Sequence, residues 1–457
     1  MKYANLDISN ERLAKARDAR EKYRESYYDK AREVIGDEGV LALREYMTLY
    51  DEKNYLWAAS LWDPEIGGFY YSASARQTEG YLPDIESTVQ MMRYLYTSGL
   101  MTGLGSSYGE GTPDFMREKL IRFATSLFDP EDGYVYHPQW GQNITVTRRG
   151  RDLNWAVGML REQFKVSPPC ETALDRLAKQ GEKKEEEKKS LPAHLTSPDN
   201  FRNYLLQFEN EDSVYYVRRA SYKLGNYINA QVYQIKAAGK EYVDILTDWF
   251  GKHQRSDNGA WTAGVTDDSV NGLMKIALTY SICGRAVPNI ENALKTAIEY
   301  AKKDVLLTWV CAPYNTYHTL NTLLENASVF GNKELCTNLR QIIASNAPTL
   351  IRNMRRKVEV FKKDDGAFSY YPKTSISGSQ SAPVAPEQLP EGDVNANSIA
   401  STGTLTNMCM VLGIKPIPIF CREDGDIFFE LIKSAKPIVK TEPIPENLAR
   451  RSKERQY

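Results

Sequence analysis

Asp63-Pro64-Glu65-Ile66-Gly67-Gly68-Phe69, followed further on by Asp84-Ile85-Glu86-Ser87-Thr88-Val89, is the first of four copies of one phrase. An acidic residue, a glycine and an aromatic precede a loop, and an aspartate then opens a helix-like apolar run. The other copies are Asp132-Gly133-Tyr134 leading to Asp152, Asp257-Asn258-Gly259-Ala260-Trp261 leading to Asp267-Asp268, and Asp365-Gly366-Ala367-Phe368 leading to Asp393. Such self-similarity marks a repeated supersecondary unit. An aspartate at a helix start accepts hydrogen bonds from free backbone N–H groups and complements the positive helix end. Asp84, Asp152, Asp268 and Asp393 are therefore expected as N-caps. Because repeats set equivalent helix ends on one side of a molecule, the caps and their neighbours are expected to ring a common mouth.

Working outward, residues 8 to about 50 read as amphipathic helices, with Ser9 as N-cap and Leu13, Ala16, Tyr23 and Tyr27 on one helical face. The first repeat covers about 56–100 and closes at Gly99, and a helix from Phe115 to Leu127 follows. The second repeat runs to about Phe164, residues 200–250 read as helical, and the third repeat spans about 251–284. Further helices are expected from Asn289, from about Tyr314 and over 335–360, before the fourth repeat at 361–414. Alternation of the β type is confined to short aromatic pieces such as Ala367-Phe368-Ser369-Tyr370-Tyr371, so the class is all-α. The organisation expected is an N-terminal helical segment, 1–55, packed on a main domain, 56–433. That domain carries a charged insert at about 179–195, and a surface tail, 434–457, follows it.

With 457 residues and 42% hydrophobic content, the chain can bury a large core. A net charge of −1 offers no basic field for nucleic acid. No apolar stretch reaches the roughly 18–20 residues a membrane-spanning helix needs, and the charged N-terminus lacks a signal-peptide core, so cytoplasm is the expected location. The six scattered cysteines form no CxxC pair and read as free thiols. The 29 tyrosines and seven tryptophans are unusual, and several sit in the repeat loops, where they serve either packing or a sugar-ring platform.

The pattern of acidic residue, glycine, aromatic, loop, aspartate and helix resembles the α/α-toroid repeat of terpenoid cyclases, protein prenyltransferases and toroidal polysaccharide lyases and glycosidases, over about residues 56–414. The resemblance implies concentric inner and outer helices, with an active site in the funnel at the N-terminal ends of the inner ones. The cyclase proton-donor motif finds only Val265-Thr266-Asp267-Asp268-Ser269, without its first aspartate. The prenyltransferase zinc set finds Asp268 and His318, but Val270 where its cysteine belongs, so no metal is expected. Asp132-Gly133-Tyr134-Val135-Tyr136-His137 is similar to a stretch of the uronate lyases.

These readings converge on a carbohydrate-active enzyme cleaving an acidic, uronate-containing oligosaccharide without a cofactor. For β-elimination, His137 and Tyr136 are the expected base and acid, and Asn143, Arg148, Arg149 and Arg151 are the groups that neutralise the uronate. His137 otherwise stacks on Trp140, and the arginines pair with acidic neighbours. For hydrolysis, Asp84, Glu86, Asp268 and Asp393 are the candidate carboxyls. Substrate contacts are expected from Trp62, Tyr70, Tyr134, Trp140, Trp261, Tyr314 and Tyr371, and from Asn154, His318, Glu391 and Asn395. The partner is a small molecule or oligosaccharide, with neither nucleic acid nor membrane, and the oligomeric state is open. The alternative is a non-catalytic toroid binding a glycan or a protein, and an isoprenoid enzyme is a third reading.

Overall fold

The computed structural model describes residues 8–176, 193–229, 231–331, 333–379 and 382–446; the charged run 179–190 lies outside them. Within these residues helix dominates. The elements are α1 (Asn10–Met47), α2 (Glu52–Ser60), α3 (Ala73–Gln77), α4 (Ile85–Thr97), α5 (Tyr108–Gly111), α6 (Asp114–Ser126) and α7 (Val146–Val157). They continue with α8 (Pro198–Leu206), α9 (Ser221–Asn229), α10 (Val232–Ala238), α11 (Lys240–His253), α12 (Asp267–Ile282), α13 (Ile290–Lys302) and α14 (Cys311–Val329). The last are α15 (Lys333–Ser345), α16 (Ala347–Glu359), α17 (Val394–Ser398), α18 (Thr404–Leu412) and α19 (Arg422–Lys433). Single π turns follow α7 (Gly158–Phe164) and join α17 to α18 (Ile399–Gly403).

Described strand is limited to two tiny hairpins. β1 (Trp62–Asp63) pairs with β2 (Gly68–Phe69), and β3 (Gly378–Ser379) pairs with β4 (Ala382–Pro383). The class is all-α. No helix among the described residues is long and apolar enough to cross a membrane.

The repeated phrase folds four times into the same turn. Its acidic or amide side chain accepts the backbone N–H two residues on: Asp63 from Glu65 at 2.9 Å, Asp132 from Tyr134 at 2.8 Å, Asn258 from Ala260 at 2.9 Å and Asp365 from Ala367 at 2.9 Å. In the third copy the acceptor is Asn258, while Asp257 pairs with Arg255 at the surface. Each turn holds its glycine in the left-handed region, with φ of +86° at Gly67, +74° at Gly133, +66° at Gly259 and +89° at Gly366. A Cβ there would lie 2.6 Å from Lys119 of α6, 2.5 Å from the Glu171 carbonyl, 2.2 Å from the Ala293 nitrogen of α13 and 2.4 Å from Lys53 of α2. The phrase is thus a wedge: its glycine lets one loop lie directly on the backbone of another segment.

The caps differ from expectation in two copies. Asp84 and Asp393 cap α4 and α17, accepting from Ser87 at 3.0 Å and Ala396 at 2.8 Å. Asp152 does not cap, because α7 begins earlier, under Thr145. Thr266 and Ser269 form a reciprocal capping box on α12, leaving Asp267 and Asp268 in its first turn. The helix expected over 335–360 is two, broken at Asn346 before Pro348.

α1 is capped by Ser9 as expected and is interrupted at Gly36 (φ +69°). Its fully buried face is Ala16, Arg20, Arg24, Tyr28, Ala31 and Ile35, whereas Leu13, Tyr23 and Tyr27 are only half-buried. Arg24 accounts for the rotation, since its guanidinium donates to the Pro418 and Ile419 carbonyls.

Helix contacts set the neighbours. α4 packs on α7 and α17, α9 on α12, α12 on α14, and α14 on α18; α1 lies on α16 and α19, and α2 on α19. The start of the tail is anchored: Thr441 and Glu442 donate to the Gln77 carbonyl at 2.9 and 3.1 Å, and Glu79 donates to that of Glu442 at 2.9 Å.

Candidate functional site

The N-terminal ends of α4, α7 and α17 supply the densest group of buried charges, with Arg148 at its centre. Arg148 sits in the first turn of α7 and is fully buried, at 0% exposed. Its guanidinium lies 3.4 Å from Asp84, 3.0 Å from Glu86 and 2.8 Å from Asp152 one turn on. It also donates to the Ser379 carbonyl at 2.9 Å and lies 5.1 Å from the Trp140 ring centre. One side chain therefore ties α4, α7 and the loop of the fourth repeat together. Arg151 binds Glu86 a second time, with contacts of 2.9 and 2.5 Å.

Two arginines face three carboxyls here. The imbalance falls on Asp152, whose carboxyl is raised to about 7 by burial and by the charges of Asp84 and Glu86, against the pull of Arg148.

Asp393 forms the other half. It is wholly buried and accepts from Ala396 N at 2.8 Å, Tyr370 N at 3.0 Å and Tyr71 Oη at 3.1 Å. Burial nevertheless raises it to about 7, and among the described residues no cation pairs with it. Tyr71 joins the halves. Burial, with the charges of Asp393, Glu86 and Asp84, raises its hydroxyl well above the usual range. Gln90, one turn after Glu86, donates to Glu86 at 3.2 Å and to Asn395 at 3.4 Å, linking α4 to α17. Glu391 is held by the Ser74 backbone at 2.9 Å and by its hydroxyl. The arrangement pairs an arginine-compensated carboxylate with a carboxyl that keeps its proton near neutrality.

Against this geometry, comparison with known proteins is silent. No family model, no curated protein and no solved structure matches the chain.

The structure brings together Asp84, Glu86, Arg148, Arg151, Asp393 and Asn395 of the expected site residues. Trp140 and His137 form the wall behind Arg148, their rings stacked with centres 4.1 Å apart. His137 is buried, with Nε2 2.6 Å from the Pro83 carbonyl and Nδ1 accepting from Gln139 N at 3.2 Å. Tyr134, Tyr136 and Arg149 form a separate group, with Tyr136 donating to Asp132 at 2.5 Å and Arg149 over the Tyr134 ring at 4.6 Å. Trp62, Tyr70 and Trp261 are core residues instead of a ligand platform: Trp62 packs on Phe69, Tyr70 donates to Asp63 at 2.9 Å, and Trp261 donates to the Phe250 carbonyl at 2.8 Å. Arg148, likewise, presents no surface to a ligand, because carboxylates enclose it. Asn143, Asn154 and Asp268 are exposed.

A second set lies on α14. Half-buried Tyr314 and His318 stack with ring centres 5.5 Å apart. Tyr371, beside Tyr370 with ring centres 5.0 Å apart, is also half-buried. Cys311 connects the two sets: its thiol is raised to about 11 by burial, lies 3.9 Å from Tyr370 Oη, and registers the charges of Asp393 and Lys275. Among the described residues no group of three or more His, Cys, Asp or Glu is placed to hold a metal ion.

Sequence reading gave no site role to Gln90, Lys275 and Cys311; it singled out Tyr71 only as a loop aromatic and Ser379 only as part of the loop ahead of Asp393. Gln90 carried a signal, since it stands one turn from Glu86.

Proposed function

We propose that the protein is an α/α toroid that hydrolyses a glycosidic bond, with Asp393 as proton donor and Glu86 as its arginine-paired counterpart. The carrying observation is the contrast between the two carboxyls. Asp393 is buried without a cation paired to it among the described residues and holds its proton to about pH 7, while Glu86 lies against both Arg148 and Arg151. A carboxyl that keeps its proton near neutrality, set beside one that lies against two arginines, is the kind of asymmetry that acid-assisted glycoside cleavage uses. The half-buried Tyr370, Tyr371, Trp309 and Tyr314 offer ring faces for a sugar. The toroid is supported by the recurring wedge turn and by the run of neighbours from α9 through α12 and α14 to α18, then α17 and α4. Six free thiols fit a reducing cytoplasm, and the mechanism needs no cofactor.

Elimination has less support. His137 is engaged at both ring nitrogens, as Asp393 is at both carboxyl oxygens, but the acid expected to work with it, Tyr136, is bound to Asp132 in a separate group. The test is incubation with a panel of neutral and uronate-containing oligosaccharides. Appearance of reducing ends without the ultraviolet absorbance of an unsaturated product is expected. Asp393→Asn is expected to lower turnover about a hundredfold or more. Unsaturated product would replace hydrolysis by elimination, and binding without turnover would leave a glycan-binding toroid.

A further inference from the structure

At the far end of α4 from Glu86 lies a pocket of about 370 Å³, bounded by the first half of α1, the turn after α4 and the segment between α18 and α19. Glu86 is in the first turn of α4 and Thr97 ends it, so about 16 Å of helix separates the pocket from the buried carboxyls. Its volume falls within the range of small-molecule sites, about 300–1,000 Å³, at the end that suits a single ring. Turn glycines help to open it. Gly99, Gly103 and Gly105 all line it, and at Gly103 (φ +77°) no atom lies within 4 Å of where a Cβ would stand.

The lining selects by shape and by charge. Half-buried Tyr23, Tyr27 and Tyr96 line the pocket with Pro416 and Pro418, so much of its wall is flat and apolar. The Tyr23 and Tyr27 rings stand edge to face with centres 5.6 Å apart and hydroxyls 3.3 Å apart, and Tyr96 is fixed by donating to the Ser106 carbonyl at 2.7 Å. No lining residue is acidic, and Lys415 is the charged one. Lys415 is exposed, its ammonium lies 5.2 Å from the Tyr27 ring centre, and it has no carboxylate partner among the described residues. Arg24 lies behind the wall, donating to the Pro418 and Ile419 carbonyls, but it is paired with Glu21 at 2.7 Å. Lys415 is therefore the charge a ligand meets. A ring can rest against the tyrosines while a carboxylate on it reaches the ammonium.

We propose that this pocket binds a small aromatic acid, a single ring bearing one carboxylate, with Lys415 meeting the charge and the tyrosines the ring. The assignment is independent of the hydrolytic reading and uses none of its residues. The test is titration of the intact protein with benzoate, benzyl alcohol and acetate, followed by nuclear magnetic resonance of the ligand, using wild type, Lys415→Gln and Lys415→Arg. Benzoate is expected to bind wild type more tightly than either other probe, to weaken about fivefold in Lys415→Gln, and to recover in Lys415→Arg. Benzyl alcohol is expected to be indifferent to both changes. Lys415 is exposed, so neither substitution disturbs the core. Equal benzoate affinity in wild type and Lys415→Gln overturns the proposal. So does a wild-type protein that binds benzyl alcohol or acetate as tightly as benzoate, a comparison that needs no variant.

Discussion

Replacing Arg148 by methionine removes, among the described residues, the only cation in contact with Asp84 and Asp152 and one of two on Glu86. Methionine fills similar space, so the loss is chiefly electrostatic. Removing one partner of a buried ion pair costs about 3–5 kcal/mol, because the remaining charge stays buried. Here three carboxyls share the vacated cation, and protonation limits the cost, so the upper part of that range is expected near pH 8 and less near pH 5. Asp152 provides the internal control. Its rise from 3.8 to about 7 means the folded protein binds a proton the unfolded chain has released. Stability from this group therefore declines as pH climbs from about 4 to 7, by roughly 4 kcal/mol at most. Asp152→Asn removes that decline and leaves two carboxylates against two arginines. Thermal melts at pH 5 and pH 8 give the comparison: Arg148→Met is expected to melt several degrees low, most at pH 8, and Asp152→Asn at or above wild type there. An Arg148→Met protein that melts with wild type at pH 8, or an Asp152→Asn protein that is the more damaged, refutes the charge accounting.

Other consequences follow from single features. Gly259→Ala is expected to cost more than about 2 kcal/mol in melts, because a Cβ would meet the Ala293 nitrogen at 2.2 Å and φ is +66°. Gly284→Ala, with the same φ and nothing within 4 Å, is expected to cost about 1 kcal/mol. Hydrolytic rate is expected to fall as pH rises through about 7, where Asp393 loses its proton. Tyr71→Phe removes a bond that favours the charged form and should carry that limb to higher pH in rate profiles. Lys440→Met should loosen the tail from the Tyr81 carbonyl and the Tyr70 ring, read as faster proteolysis after residue 433 with the melt little changed.

The repeated phrase was legible because its chemistry is local. An acidic side chain, a glycine and the N–H two residues on all lie within one turn, and sequence spacing specifies them. Asp84 and Asp393 were legible as caps for the same reason. Asp152 misled because Thr145 offers a competing cap ahead of it, and which start prevails depends on where α7 must reach Asp84. Arg148 illustrates the larger limit. Its partner Asp152 is visible at one helical turn, but Asp84 and Glu86 are far away in sequence, and only tertiary packing makes the arginine a hub instead of a ligand contact.

The wedge at Gly366 rests on Lys53, Asn54 donates to Gly366 and Asn397, and the Val394 nitrogen donates to the Tyr71 carbonyl. Segments more than 300 residues apart in sequence thus complete each other. During synthesis the first repeat emerges ahead of the segments it pairs with, so its tyrosine-rich faces stay bare until residues 366–397 have left the ribosome. A chain with such long-range pairing folds slowly for its size. Its yield in a heterologous host should then respond to chaperone supply more than to any single substitution on its surface.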